Sequence, residues 1–113
     1  METTYFRFEE VHPGSPAYER YLEARHDVFC TELGRVEATG LHSSAGRPIE
    51  TDVYDQHSRH FVAWYKIDES VAGFARVILP NAHGLNVTPR YVIDRPLPYP
   101  DASDDRIGEI SRM

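Results

Sequence analysis

The 113-residue sequence predicts an α/β (α+β) domain, a mostly antiparallel sheet with a helix packed on it. Three observations predict this. Apolar residues recur at helical spacing in "AYERYLEARHDVFCTEL" (17–33). "RHFVAWYKI" (59–67) and "VAGFARVIL" (71–79) are strand-like runs separated by the turn "DES", which reads as an antiparallel hairpin. The element order is strand, helix, long loop, hairpin, loop, strand, without an internal repeat.

"TYFRFEEV" (4–11) alternates Phe6, Arg7 and Phe8 with period two, the mark of a short half-buried strand. "HPGSP" breaks it. Ser15 is suited to cap a helix and Pro16 to occupy its first position. The following helix carries one stripe of Tyr21, Leu22, Arg25, Val28, Phe29 and Leu33, and Gly34 terminates it. Residues 35–56 lack periodicity and contain "TGLHSSAGRP", so they read as a long loop. Loops of that length in a small domain are functional or disordered. After the hairpin, residues 80–105 are loop-rich with one short strand at "RYVI" (90–93). "RIGEISRM" (106–113) begins a further strand, and the chain stops inside it. The expectation is therefore one domain over 1–113 that is incomplete, its C-terminal half missing.

Composition narrows the function classes. The formal net charge of -6 opposes non-specific nucleic-acid binding, which needs a basic face. No apolar run reaches the roughly 20 residues of a membrane span. "METTYFRFEEV" has neither the basic start nor the cleavage site of a signal peptide. A lone Cys30 excludes an intramolecular disulfide, so a cytoplasmic setting is the default.

The chemistry gathers in "IETDVYDQHSRHFVAW" (49–64), where Glu50, Asp52 and Asp55 precede a core strand and His57 and His60 follow. Arg25 interrupts the apolar helix stripe and Arg76 lies mid-strand. Semi-buried arginines need partners, because an unpaired buried charge is costly. Asp52 and Asp55 are the obvious partners for Arg25, Arg76 or Arg112, through the two-pronged fit of guanidinium to carboxylate. On the terminal strand Glu109 and Ser111 share one face and Arg112 takes the other. Metal binding by Asp52, Asp55, His57 and His60 is the weaker reading, and no metal is expected. Cys30 as a nucleophile is weaker still, since no histidine partner is visible. Tyr18, Tyr21 and Phe29 are most simply core, and no phosphate-cradling glycine motif is present.

In order, "ARHDVFCTELG", "IETDVYDQHSRHFVAW", "VAGFARVILP", "PLP" and "EISRM" resemble the autoinducer-synthase-like branch of the GNAT acyltransferase superfamily. The sequence is most similar there to the acyltransferases associated with PEP-CTERM/exosortase systems and to N-acyl amino acid synthases. The likeness spans Arg25 to Arg112. It implies the N-terminal half of a GNAT-like fold and an N-acyltransferase. A fatty acyl group would pass from acyl carrier protein, or from acyl-CoA, to the amine of a small acceptor such as an amino acid or S-adenosylmethionine. No bound cofactor is implied; the partners are the carrier protein and the amine. Carried onto matching positions, Arg25, Phe29, Asp52 and Arg112 would bind the acceptor. Asp55 and Arg76 would form a structural ion pair, and Glu109 and Ser111 would lie at the chemistry.

Thioester aminolysis needs a neutral amine, so a carboxylate such as Glu109 could take the proton while a strand N–H stabilises the oxyanion. Glu109 reads equally well as a salt-bridge partner of Arg112. The lactone synthases carry "GW" after the first helix, whereas Gly34 is followed here by Arg35, which favours an acceptor other than S-adenosylmethionine. The helix N-terminus that would bind the donor's pyrophosphate has no counterpart by Met113. The 113-residue chain alone is therefore expected to show no turnover. A second reading stays open, a non-enzymatic half-domain completing its sheet with a partner chain through the edge after Arg112.

Overall fold

The computed structural model describes residues 1–81 and 109–111. Among these, four strands form one antiparallel sheet in the order β1-β2-β3-β4: β1 Phe6–Val11, β2 Ser58–Tyr65, β3 Ser70–Ile78 and β4 Glu109–Ser111. One face carries the helix α1, Pro16–Arg25. The "RYVI" strand expected at 90–93 lies outside the described residues.

Alternation sorts the sheet into two faces. Register pairs Val11 with His60, His60 with Arg76, and Val62 with Phe74, so these residues point together toward α1. Val11, Tyr18, Tyr21, Leu22, Val62 and Trp64 form the buried core, with Ala17, Ile49, Val71 and Phe74 packed against it. Trp64 faces inward by the same alternation as His60 and Val62, and a register shift between Ala63 and Trp64 sets it opposite Val71. Its indole Nε1 donates to Glu9 at 3.0 Å, and the Arg20 guanidinium stacks 4.6 Å from the ring centroid. In β1 the inward residues are Arg7, Glu9 and Val11, while Phe6 and Phe8 stand partly exposed on the opposite face.

The helix starts as its sequence requires. Ser15 accepts from the Tyr18 N–H at 3.1 Å, and Pro16 occupies the first turn. Its continuation corrects the expectation of one α-helix over 17–33. After Arg25 the backbone widens into a π-helix, His26–Glu32, in which the Leu33 N–H reaches the Val28 carbonyl at 2.9 Å. The wider winding breaks the predicted stripe: Phe29 stays buried, Val28 is half-buried and Leu33 is exposed. Gly34, at φ +60°, ends the run, and the Arg35 and Val36 N–H groups both turn back to the Phe29 carbonyl.

The long loop is ordered by α1. Ser43 donates to Glu23 at 2.6 Å, Ser44 donates to Glu19 at 2.7 Å, and the Glu50 N–H donates to the Leu22 carbonyl at 3.2 Å. A 3-10 turn, Asp55–His57, then feeds β2. No helix among the described residues is long and apolar enough to cross a membrane.

Candidate active site

Beneath the sheet, where α1 ends, the fold buries a charged network. Arg25 is fully buried, and its fork meets two carboxylates at once. Nε and Nη2 donate to the two oxygens of Glu50, each at 3.0 Å. Nη1 donates to Asp55 at 2.7 Å and Nη2 to its other oxygen at 3.3 Å. Arg76, fully buried on β3, donates from Nη1 to Asp52 at 2.6 Å and to Asp55 at 3.0 Å. Asp55 is thus the shared node, and it also accepts the Asp52 N–H at 2.8 Å. Asp52 accepts the Tyr54 N–H at 2.9 Å, the turn that presents both aspartates to the arginines.

A second chain of hydrogen bonds backs the first. Arg25 Nη1 donates to the Tyr21 hydroxyl at 3.3 Å, which lies 2.7 Å from His60 Nδ1. His60 Nε2 sits 3.1 Å from the Asp55 carbonyl. A carbonyl only accepts, so the hydrogen-bond pattern assigns the proton of neutral His60 to Nε2. Nδ1 then accepts from Tyr21. The path Arg25–Tyr21–His60–Asp55 ties the helix, β2 and the 3-10 turn together.

The environment sets the charge states. Burial pushes the His60 pKa down, outweighing the Asp55 carbonyl that favours the proton, while Arg25 and Arg76 lower it further. Burial pushes Tyr21 up to about 12, so it stays a neutral hydroxyl. For Asp55 burial opposes ionisation, but the Arg25 charge and hydrogen bond, the Asp52 N–H and the Arg76 charge hold the carboxyl below its ordinary range. Burial likewise opposes the charge on Arg25, and Asp55 together with Tyr21 and Glu50 overcomes it, raising the pKa. A carboxylate held that firmly ionised is a weak base. That environment suits Asp55 to anchoring charge.

The structure therefore brings Arg25, Asp52, Asp55 and Arg76 together. Phe29 stays apart from the charges: it is buried on the π-helix, 6.0 Å from the Phe74 ring, and Phe74 in turn lies 5.8 Å from Tyr21. Backbone register sets Ser111 beside Arg76 and Glu109 beside Ile78, so β4 runs next to the network. Arg112 lies outside the described residues. Among the described residues no group of three or more His, Cys, Asp and Glu is arranged to hold a metal ion. Both ring nitrogens of His60 are already engaged. Cys30 is half-buried with its sulfur 4.0 Å from the Glu37 carbonyl.

Three members of the network were not assigned to it from the sequence. Glu50 stands in an aperiodic loop, with nothing nearby to show that it turns inward. Tyr21 reads as core, which it is, but its hydroxyl also bridges Arg25 and His60. For His60 the signal was its place at the start of an apolar strand.

The family model described as "Acetyltransferase (GNAT) domain" matches residues 24–113. The chain belongs to this family. This GNAT domain accordingly has an α/β GNAT-like fold, and the family's general activity is acyl transfer with acyl-CoA as the usual donor. The matched span includes every residue of the charged network except Tyr21. Neither the curated proteins nor the solved structures yield a match.

Proposed function

We propose that this GNAT domain supplies the acceptor side of an N-acyltransferase that moves a fatty acyl group from acyl carrier protein, or from acyl-CoA, to the amine of a small acceptor. An amino acid is favoured over S-adenosylmethionine, because Arg35 stands where the lactone synthases carry tryptophan. The autoinducer-synthase-like, PEP-CTERM-associated branch is the proposed relation, and the five ordered motifs support it. The observation that carries the reading is the adjacency of the buried network to β4, with Ser111 the register partner of Arg76.

In this reading Arg25, Asp55 and Arg76 are a rigid charged floor. Asp52, its side chain 23% exposed, is the rim that meets the acceptor, together with Arg112 and the Phe29 side of the helix. Glu109 takes a proton from the attacking ammonium, directly or through water. The neutral nitrogen adds to the thioester carbonyl carbon, the C–S bond breaks, and the carrier's thiol leaves with a proton. An N–H of β4 near Ser111 steadies the oxyanion.

The test is a product assay on the polypeptide encoded by the complete reading frame. Long-chain acyl carrier protein or acyl-CoA is mixed with a panel of amino acids and amines, and N-acyl products are read by mass spectrometry. An N-acyl amine that disappears in Glu109→Gln is the expected result. Absence of product from every donor and amine pair overturns the proposal.

A further inference from the structure

The proposed acyl transfer gives no task to the buried pair His60 and Tyr21. His60 is 1% exposed on the face of β2 that packs under α1. Burying an imidazole on that apolar face costs solvation that an aliphatic side chain would not lose. From α1 it faces Tyr18, whose ring stands edge-on at 5.1 Å, and Tyr21 at 5.2 Å, with Arg25 next in line. The 3-10 turn presents the Asp55 carbonyl, and the Asp55 carboxylate lies within electrostatic reach. Its register partner on β3 is Arg76 and on β1 is Val11, with Glu10 also within electrostatic reach.

Both ring nitrogens have fixed roles. Nε2 donates to the Asp55 carbonyl at 3.1 Å, and Nδ1 accepts from the Tyr21 hydroxyl at 2.7 Å. The Asp55 end of this chain is the turn that carries the rim: Asp55 accepts the Asp52 N–H, and Asp52 accepts the Tyr54 N–H. The Tyr21 end is Arg25, which donates to the hydroxyl at 3.3 Å and holds Glu50 and Asp55 with the rest of its fork. A proton on Nδ1 turns that nitrogen into a second donor facing the Tyr21 hydroxyl. The hydroxyl hydrogen must then turn away from the ring, and its other partner among the described residues, Arg25, only donates. The added charge also stands near two guanidiniums, Arg25 and Arg76, which oppose it.

We infer that His60 is a positioning residue for acceptor binding: neutral, it braces the Asp52–Asp55 turn directly and Arg25 through Tyr21, and protonated, it loosens that brace. On the acyl-transfer reading, on which this step rests, the rim at Asp52 then receives the acceptor's ammonium less well in mild acid. Two effects act in the same direction. The Asp52 carboxylate loses its fixed placement, and a new positive charge in the floor beneath it opposes the incoming cation. Burial holds the imidazole pKa below its ordinary 6.5, so the loss is confined to the acid side of that value. The proton transfer assigned to Glu109 is a separate step, so the effect falls on KM for the amine ahead of kcat.

The test begins with NMR of the 113-residue chain from about pH 8 to about pH 5, where histidine titrates. At the upper end His60 should show the tautomer protonated at Nε2. The Arg25 Nε–H and Tyr54 N–H signals should move with the His60 midpoint. Neither should move in His60→Gln, whose amide gives one hydrogen bond and accepts the other. The opposite tautomer, signals that stay still through the midpoint, or equal movement in the variant overturns the inference. The tautomer and the midpoint are read on the unaltered chain, so the test holds even where the variant folds poorly. In the polypeptide of the complete reading frame, KM for the amine should rise about fivefold or more below that midpoint, the low end of ordinary coupling between sites, and stay level in His60→Gln. An equal rise in both proteins overturns the positioning role. The two readings fail separately. No N-acyl product from any donor and amine removes the transferase reading and leaves the coupling seen by NMR. Product formed at a KM that stays level in the unaltered enzyme does the reverse.

Discussion

Arg25 and Asp55, thirty residues apart in sequence, meet at 2.7 Å with both side chains buried. That contact joins the last turn of α1 to the entrance of β2. Because Asp55 also receives Arg76 at 3.0 Å, one carboxylate links helix, turn and sheet.

Removing Arg25 takes the guanidinium from buried Glu50 and leaves Asp55 to Arg76. Arg25→Met is expected to lose about 3–5 kcal/mol, the range for breaking a buried pair from one side. Arg25→Lys keeps the charge but not the two-carboxylate fork, and should fall between the two. Urea denaturation measures both. A loss for Arg25→Met under about 1 kcal/mol, the size of an ordinary substitution, would show that the network is not stabilising as a unit.

The buried imidazole predicts an acid-sensitive step. His60 has a folded pKa below its unfolded value of 6.5, so the unfolded chain binds the proton more readily. Its contribution is complete above about 6.5, the unfolded value, and is lost as pH falls toward the folded pKa. Asp55, also lowered, adds a second loss only below its ordinary 3.8. Thermal melts should fall between neutral pH and pH about 5, where histidine titrates. His60→Gln should flatten that segment and leave the lower one. A slope unchanged by the substitution would assign the transition to another group.

Trp64 combines burial with a polar handle. Trp64→Phe keeps most of the packing but removes the 3.0 Å bond to Glu9. It should cost about 1–2 kcal/mol, from that bond and the weakened Arg20 stacking. Glu9→Ala should cost little more in the Trp64→Phe background than in Trp64→Phe alone. Additive losses in chemical denaturation would mean that the two residues act independently.

The helix cap gives a local prediction. Ser15→Ala removes the acceptor for the Tyr18 N–H and should lower stability by about 1 kcal/mol. Ser15→Asp should restore it. An Asp variant no more stable than the Ala variant, by melting, would contradict the capping assignment.

For activity, Asp52 is the informative rim residue. On the acyl-transfer reading proposed above, Asp52→Asn should raise KM for the amine more than it lowers kcat, because in that reading Asp52 meets the acceptor and Glu109 takes the proton. A fall in kcat at unchanged KM would move Asp52 from binding to chemistry.

The sequence by itself determined the hairpin, the start of α1 at Ser15 and Pro16, the core roles of Tyr18, Tyr21 and Phe29, and the need of Arg25 and Arg76 for carboxylate partners. Each follows from a local rule: period, capping chemistry, or the cost of an unpaired buried charge. The tertiary structure alone decided that Glu50 turns inward to share Arg25 with Asp55, and that Tyr21 and His60 close a hydrogen-bonded path behind them. It alone decided that helical winding widens after Arg25, so that Leu33 leaves the core. These outcomes depend on contacts between segments far apart in the chain. Neither the periodicity of a loop nor that of a helix encodes which distant carboxylate a buried guanidinium will choose.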